Sequence, residues 1–308
     1  MWGRLGAFIS FGEASGYSDK TSITYRYHIG NFIRFLNSLE VIYPEDVTPD
    51  QVVAFLQHKR KDCACNGVTV NTYYRAIRSW FNWMVEQNAI DKSPLLKLKT
   101  PPIPKTVIKP ITADQVQQLL LCCSKYFRGQ RDKAIISLLF DSGVRRLELV
   151  NIKLDDIDLK QGYIRIMGKG AKERYVAIGK EAKRAIVDYL FMRNDALPWL
   201  FVSHLKERRD KLTPDAITLM VNKLMKRAGI TGVKLGPHTL RHSFATASIR
   251  NGANLFHLQS LLGHSTLNMT RRYVATVDSE EAIKSHKNFS PLDRIRQPNR
   301  ITKPARSL

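Results

Sequence analysis

Groups able to do chemistry crowd into one stretch of this chain, Leu235 to Tyr273. His238, Arg241 and His242 stand at i, i+3 and i+4, so on a helix they project from one face. His264 follows in Leu262-Gly263-His264, and Tyr273 comes nine residues later. An Arg offers a planar fork of donors that matches two phosphate oxygens. A His can donate or shuttle a proton near neutral pH. A Tyr can act as a nucleophile that leaves a covalent intermediate behind. Singly, each has an ordinary use: the Tyr as core or surface, the His as a cap or a packed ring. Together they form a set for attacking and holding a phosphate.

Two earlier strings add to this set. Gly143-Val144-Arg145-Arg146-Leu147-Glu148 breaks a helical pattern at the glycine and then presents Arg145 and Glu148 three apart. Arg145 alone reads as a surface arginine. Glu148 reads as an ion-pair partner, or as a buttress orienting Arg145 or a neighbour. The second string is Gly168-Lys169-Gly170-Ala171-Lys172, a turn between two alternating segments within 162–178. It is not a phosphate-binding P-loop, because the spacing G-x-x-x-x-G-K-[ST] is absent. A Lys in such a turn is ordinarily solvated.

The charge balance points to the same kind of partner. The 308 residues carry 49 basic and 27 acidic side chains, a formal +22, with a sequence pI near 10.0. The excess is uneven: 12 basic against 9 acidic in residues 1–100, and 37 against 18 in 101–308. Attraction to a polyanion is therefore concentrated around the His/Arg/Tyr set. The four cysteines, Cys63/Cys65 and Cys122/Cys123, lack zinc-finger spacing and read as reduced, mostly buried thiols rather than metal ligands. No run of about 18 apolar residues suggests a membrane span, and the first residues lack a signal-peptide profile. A cytoplasmic protein is expected.

The elements that must position these groups can be read from caps and periodicity. A short helix around Phe8–Ala14 precedes one from Asp19 with Tyr25, Ile29, Phe32, Leu36 and Leu39 in register. Thr48-Pro49-Asp50-Gln51 is a capping box opening a helix through Val52, Val53 and Leu56. A third long helix from about Thr69 carries Val70, Tyr73, Ile77, Trp80 and Met84. Lys59-Arg60-Lys61, Arg75 and Arg78 fall on polar faces, suited equally to solvent or to phosphate. Leu95 to Pro110 then brings four prolines, four lysines and no acid, a stiff basic linker. Thr112-Ala113-Asp114-Gln115 is a second capping box, followed by helices at Val116–Cys122 and Asp132–Phe140 and by the hairpin. Helices resume at Lys180–Asn194 and Thr213–Arg227. The helix bearing His238 and Arg241 runs to Arg250, and one capped by Asn254 ends at Gly263. Ser265 is read as the cap of a short helix carrying Tyr273. A last helix is read over Asp278–Phe289, and 290–308 as a basic tail.

The strings G-V-R-x-x-E, G-K-G, H-x-x-R, L-G-H and the late Tyr, in this order, resemble the tyrosine recombinase (phage integrase) family. The resemblance covers nearly the whole chain. It implies a mainly α fold with a small β-sheet: an N-terminal four-helix, SAM-like core-binding domain over 1–95, a basic linker at 96–110, an α+β catalytic domain over 111–290, and a tail at 291–308, closing on DNA as a C-shaped clamp. The resemblance also implies six catalytic positions: Arg145, Lys169, His238, Arg241, His264 and Tyr273. Tyr273 would form a 3′-phosphotyrosyl link, the two arginines would clamp the phosphate, and Lys169 would protonate the leaving 5′-oxygen. His238 would assist proton movement at the Tyr, and His264 would donate a hydrogen bond. No metal and no cofactor is expected. Implied partners are double-stranded DNA with inverted core sites and a homo-tetramer on two sites, with room for an accessory or paired recombinase. The family's reaction is site-specific recombination through a Holliday junction, in integration, excision or resolution. Two departures are visible. Val274-Ala275 follows the Tyr where many members have a His two positions on, and no arm-binding domain of the lambda-integrase sort is expected ahead of the bundle. The chain is thus closer to simple Xer-like and transposon-type members.

Three other readings use parts of this pattern: a type IB topoisomerase-like relaxase that rejoins the same strand, a catalytically silent DNA-binding accessory protein, and a basic RNA-binding module. The six filled positions oppose the second, and the third lacks an aromatic strand motif for stacking bases.

Overall fold

The computed structural model describes residues 1–103, 109–168, 173–203, 210–263, 266 and 270. The chain separates into two compact units, Met1–Thr106 and Val107–Leu308.

The first unit holds four helices, α1 (Trp2–Ala14), α2 (Asp19–Asn37), α3 (Pro49–Lys61) and α4 (Gly67–Glu86). Each of the last three starts where a side chain satisfies an orphan amide: Ser18 accepts from the Thr21 amide, Thr48 and Gln51 form the expected capping box, and Asn66 accepts from the Thr69 amide. α4 is the central helix, with Val70, Tyr73, Ile77, Trp80 and Met84 all buried. Phe32 of α2 meets Phe55 of α3 edge-on, with centroids 5.0 Å apart. Side chains of this size each contribute about 1.5–3 kcal/mol when fully buried. α1 begins six residues earlier than the sequence suggests, and Leu5 joins Phe8 and Ile9 in the core. Phe55, not Val53, fills the α3 core position; Val53 and Leu39 are exposed. Leu95 is buried in this unit, the Leu98 carbonyl accepts from the Tyr74 hydroxyl (2.7 Å), and Pro101 accepts from the Asn71 amide (2.7 Å). The first part of the proline-rich stretch is therefore fastened to the helical bundle.

The second unit holds α5 (Ala113–Leu121), α6 (Phe127–Ser142), α7 (Arg146–Leu149), β1 (Ile157–Asp158), β2 (Tyr163–Met167), β3 (Glu173–Ala177), α8 (Lys180–Phe191), α9 (Pro214–Arg227), α10 (Pro237–Arg250) and α11 (Leu255–Leu262). The strands form one antiparallel sheet in the order β1-β2-β3, with Ile166 opposite Arg174 and Tyr163 opposite Ala177. The hairpin is as read from its alternation, while the short β1 carries too little pattern to be foreseen. Ile164, Ile166 and Val176 point inward onto a core built with Ile135, Leu138 and Leu139 of α6, Ile186 and Tyr189 of α8, and Leu240 of α10. Thr112–Gln115 is again a capping box. Asn254 caps α11 by accepting from the Phe256 and His257 amides.

The four thiols are free, and the expectation of burial is corrected: Cys63 is exposed and the others are partly exposed. They lie where helices end, Cys63 and Cys65 past α3 and Cys122 and Cys123 past α5; only the latter pair packs, in part, against the core. Among the described residues no helix is long and apolar enough to cross a membrane.

Candidate active site

The site is built around the C-terminus of α11. Three consecutive carbonyls end this helix, and a helix end leaves such groups unsatisfied and partly negative. Each meets an arginine from a different element. Arg174 of β3 donates through Nε to Leu261 (3.0 Å), Arg241 of α10 donates through Nη2 to Leu262 (2.7 Å), and Arg145 at the start of α7 donates through Nη2 to Gly263 (3.0 Å). Arg241 also donates through Nη1 to the Gly143 carbonyl. The two arginines singled out by their motifs are thus anchored on adjacent peptide groups.

The local turns explain how. Gly143 caps α6 in the left-handed region (φ 61°, ψ 22°), which turns the chain and aims Arg145 at α11. Gly263 caps α11 in the same way (φ 61°, ψ 48°). Its own Cα lies so close to Arg174 that an added Cβ would sit 3.1 Å from Cδ and Nε. Glu148 is the buttress. Its Oε2 accepts from the Arg145 backbone amide (2.8 Å) and from Arg174 Nη2 (2.7 Å); its Oε1 accepts from Arg145 Nη1 (2.9 Å) and Arg174 Nη1 (2.8 Å). Burial alone would raise the Glu148 pKa, but the hydrogen bonds and charges of Arg174 and Arg145 outweigh it and hold the carboxyl below the usual range.

α10 begins at Pro237, after Gly236 at φ 139°. Arg241 and His242 are buried, whereas His238, a turn nearer the helix start, is exposed. Partial desolvation, and then the positive charges of Arg146, Arg241, Lys234 and Arg145, lower the His238 pKa from its ordinary 6.5. Its ring therefore favours the neutral, proton-accepting form at neutral pH. Arg146 is held on the near side by Thr218 Oγ1 (2.6 Å) and Asp215 (3.3 Å).

Arg145, His238 and Arg241 are thus brought together. Lys169, His264 and Tyr273 lie outside the described residues. Their described neighbours are Gly168 just after β2, Glu173 at the start of β3, and Gly263, which is covalently followed by His264. Sequence reasoning missed Arg174. The available signal was period-2 alternation, which sets Arg174 on the same inward face as Val176. Among the described residues no group of three or more His, Cys, Asp or Glu side chains could hold a metal ion.

Two guanidinium groups fixed on a rigid helix end, beside a neutral imidazole in a strongly basic chain, belong to a class of proteins that handle phosphodiesters. Comparison with known proteins agrees and is more specific. Residues 109–280 match the phage integrase family, and residues 5–91 match the phage integrase N-terminal SAM-like domain. The tyrosine recombinase XerA of Pyrococcus horikoshii is 33% identical over 288 residues, which is 92% of this chain and 93% of the relative. A crystal structure of XerA recombinase matches with a TM-score of 0.51 at 26% identity, covering 94% of this chain and 98% of that one. A structure of the XerH site-specific recombinase bound to palindromic difH substrate, a post-cleavage complex, matches with a TM-score of 0.70 at 21% identity, covering 88% and 80%. The chain belongs to the phage integrase family of tyrosine recombinases. It is an enzyme of site-specific DNA recombination, cutting and rejoining strands through a 3′-phosphotyrosyl intermediate and a Holliday junction.

Proposed function

We propose that Arg145, Lys169, His238, Arg241, His264 and Tyr273 carry this reaction, with the following roles. The Tyr273 Oη attacks the scissile phosphorus as neutral His238 takes up the phenolic proton. The P–O5′ bond breaks, Lys169 gives a proton to the departing 5′-oxygen, and the 3′-phosphate stays on Tyr273. Arg145 and Arg241 hold the non-bridging oxygens where charge builds up, and His264 adds a hydrogen bond. Attack by the 5′-hydroxyl of a partner strand reverses the steps, so the phosphodiester energy is retained and no ATP is consumed. The scheme uses cationic side chains in the place a divalent ion would take, and needs no cofactor.

The observation carrying this reading is the anchoring of Arg145 and Arg241 on the Gly263 and Leu262 carbonyls, immediately ahead of His264. Preorganised donors are worth most where they need not move during reaction, about 10²–10³ in rate for each. The wider reading is a homo-tetramer on two duplex sites with inverted core sequences, with room for an accessory or paired recombinase, in the cytoplasm. The relatives' structures with DNA core sites support the DNA part.

The test is a nicked duplex on which cleavage is trapped as a phenol-stable covalent adduct. Tyr273→Phe is expected to keep DNA affinity and lose the adduct entirely. An adduct formed by that variant removes Tyr273 from the nucleophile's role. Exchange between two duplexes, rather than relaxation of one, distinguishes a recombinase from a topoisomerase-like enzyme.

A further inference from the structure

Arg174 occupies a position that none of the six proposed roles explains. It lies on β3, five residues after Lys169 in the sequence, with its side chain only 13% exposed. Its two Nη groups form a fork on both oxygens of Glu148, at 2.8 and 2.7 Å. The same two oxygens each take a second bond from Arg145. Meanwhile Arg174 Nε holds the Leu261 carbonyl, and Arg145 Nη2 holds Gly263 two residues on. The contacts close a circuit: β3 to α7 through Glu148, α7 to α11 through Arg145, and α11 back to β3 through Arg174. Of the three arginines at this helix end, Arg174 is the one supplied by the hairpin. Opening the circuit there releases two sides of it, the buttress behind Arg145 and the last turn of α11 ahead of His264.

We propose that Arg174 is a positioning residue for strand cleavage: it shares Glu148 with Arg145, fixes the direction of the Arg145 fork toward the scissile phosphate, and locks the hairpin onto the end of α11. Without Arg174, Glu148 keeps Arg145 as its remaining partner. The guanidinium is then free to turn onto the carboxylate and away from the substrate. Charge alone cannot do this work. A lysine at 174 has one ammonium, which cannot span two carboxylate oxygens and a carbonyl at once.

This inference rests on the proposed site, so the experiment includes a control for that site. The full-length chain is used as wild type, Arg145→Ala, Arg174→Ala and Arg174→Lys. Single-turnover cleavage is measured on two nicked duplexes, one with an ordinary scissile phosphate and one with a methylphosphonate there. The methylphosphonate lacks one charged non-bridging oxygen and so needs less of the Arg145 clamp. Misplacing a reacting or clamping group by about 1 Å costs on the order of 100-fold, and Arg174→Ala is expected to lose that much on phosphate while binding the duplex unchanged. On methylphosphonate the loss should shrink to a few-fold, in parallel with Arg145→Ala. Arg174→Lys keeps a positive charge beside Glu148, so it should melt closer to wild type than Arg174→Ala and still fail to restore cleavage, which also covers the case in which Arg174→Ala is unstable. Cleavage of phosphate by Arg174→Lys at the wild-type rate overturns the proposal. So does an equal loss on both substrates, which would mark a merely structural residue. Full activity of Arg145→Ala would overturn the proposed site itself, whereas an inactive Arg145→Ala beside an active Arg174→Ala overturns this inference alone.

Discussion

Replacing Gly143 with alanine should damage both the stability and the chemistry of this enzyme, and the sizes can be worked out separately. The first part is conformational. Gly143 has φ 61° and ψ 22°, a left-handed geometry that costs an alanine roughly 1–2 kcal/mol. The second part is steric. An added Cβ would lie 2.4 Å from Phe244 Cδ1 and 2.9 Å from Leu262 Cδ2. Carbon pairs prefer about 3.5 Å or more, so the Phe244 ring must retreat by roughly 1 Å. Phe244 is half-buried and can yield in part; Leu262 is fully buried and cannot. Overpacking of this kind costs about 1–3 kcal/mol, and the two parts together come to about 2–5 kcal/mol. For a domain of this size that is a fall in melting temperature of roughly 5–15 °C. Chemistry should suffer as well, because the Gly143 carbonyl and the Leu262 carbonyl both anchor Arg241. The assay is a thermal melt of the full-length chain beside single-turnover cleavage of a nicked duplex, for Gly143→Ala, Phe244→Leu and the double variant. Phe244→Leu makes room for the new methyl, so the double variant should melt higher than the sum of the single losses predicts. A Gly143→Ala melt within about 1 °C of wild type, or strictly additive losses in the double variant, refutes this account of the turn.

Cleavage in EDTA should match the control, since the proposed site uses arginines and lysine in place of a divalent ion; strict dependence on such an ion contradicts it. Affinity should fall steeply with salt because residues 101–308 carry most of the +22, and a flat response means few phosphate contacts. Lys169→Ala should slow cleavage strongly, with much of the rate returning on a 5′-sulfur leaving group; rescue confined to Lys172→Ala moves the general acid to that residue. Cleavage should persist as pH falls through 6.5, because partial desolvation and the charges of Arg146, Arg241, Lys234 and Arg145 keep His238 neutral to lower pH. Arg146→Ala removes one of those cations, so His238 should protonate at higher pH and the acid limb of the rate profile should move up; a limb that stays in place separates it from His238. Ala282, Ile283, His286 and Phe289 recur at helical spacing in the sequence soon after Tyr273, and the proposed tetramer is expected to use them to dock head-to-tail on a neighbouring protomer. Truncation after Asp278 should spare single-site binding and abolish synapsis, and full-rate recombination by the truncated chain removes that assignment.

What the sequence alone determined is what lies within a few residues along the chain. Ser or Thr followed three places on by Gln located the starts of α3 and α5, because a side chain can reach the orphan amides of its own first turn. Gly143 and Gly263 marked the ends of α6 and α11, because left-handed geometry excludes most other residues. Alternation located β2 and β3, and the order of short motifs was sufficient to single out Arg145, His238 and Arg241. The tertiary structure decided what these residues touch. Arg145 meets Gly263 across 118 positions of sequence, and Arg174 meets Leu261 across 87. No local periodicity records such pairs, since they arise only when β3, α7 and α10 converge on one helix end. For the same reason the two partners of Glu148, the burial of Arg241 beside an exposed His238, and the exposure of Cys63 followed from packing: a residue's spacing sets its helix face, but the neighbouring elements decide whether that face meets protein, solvent or another charge.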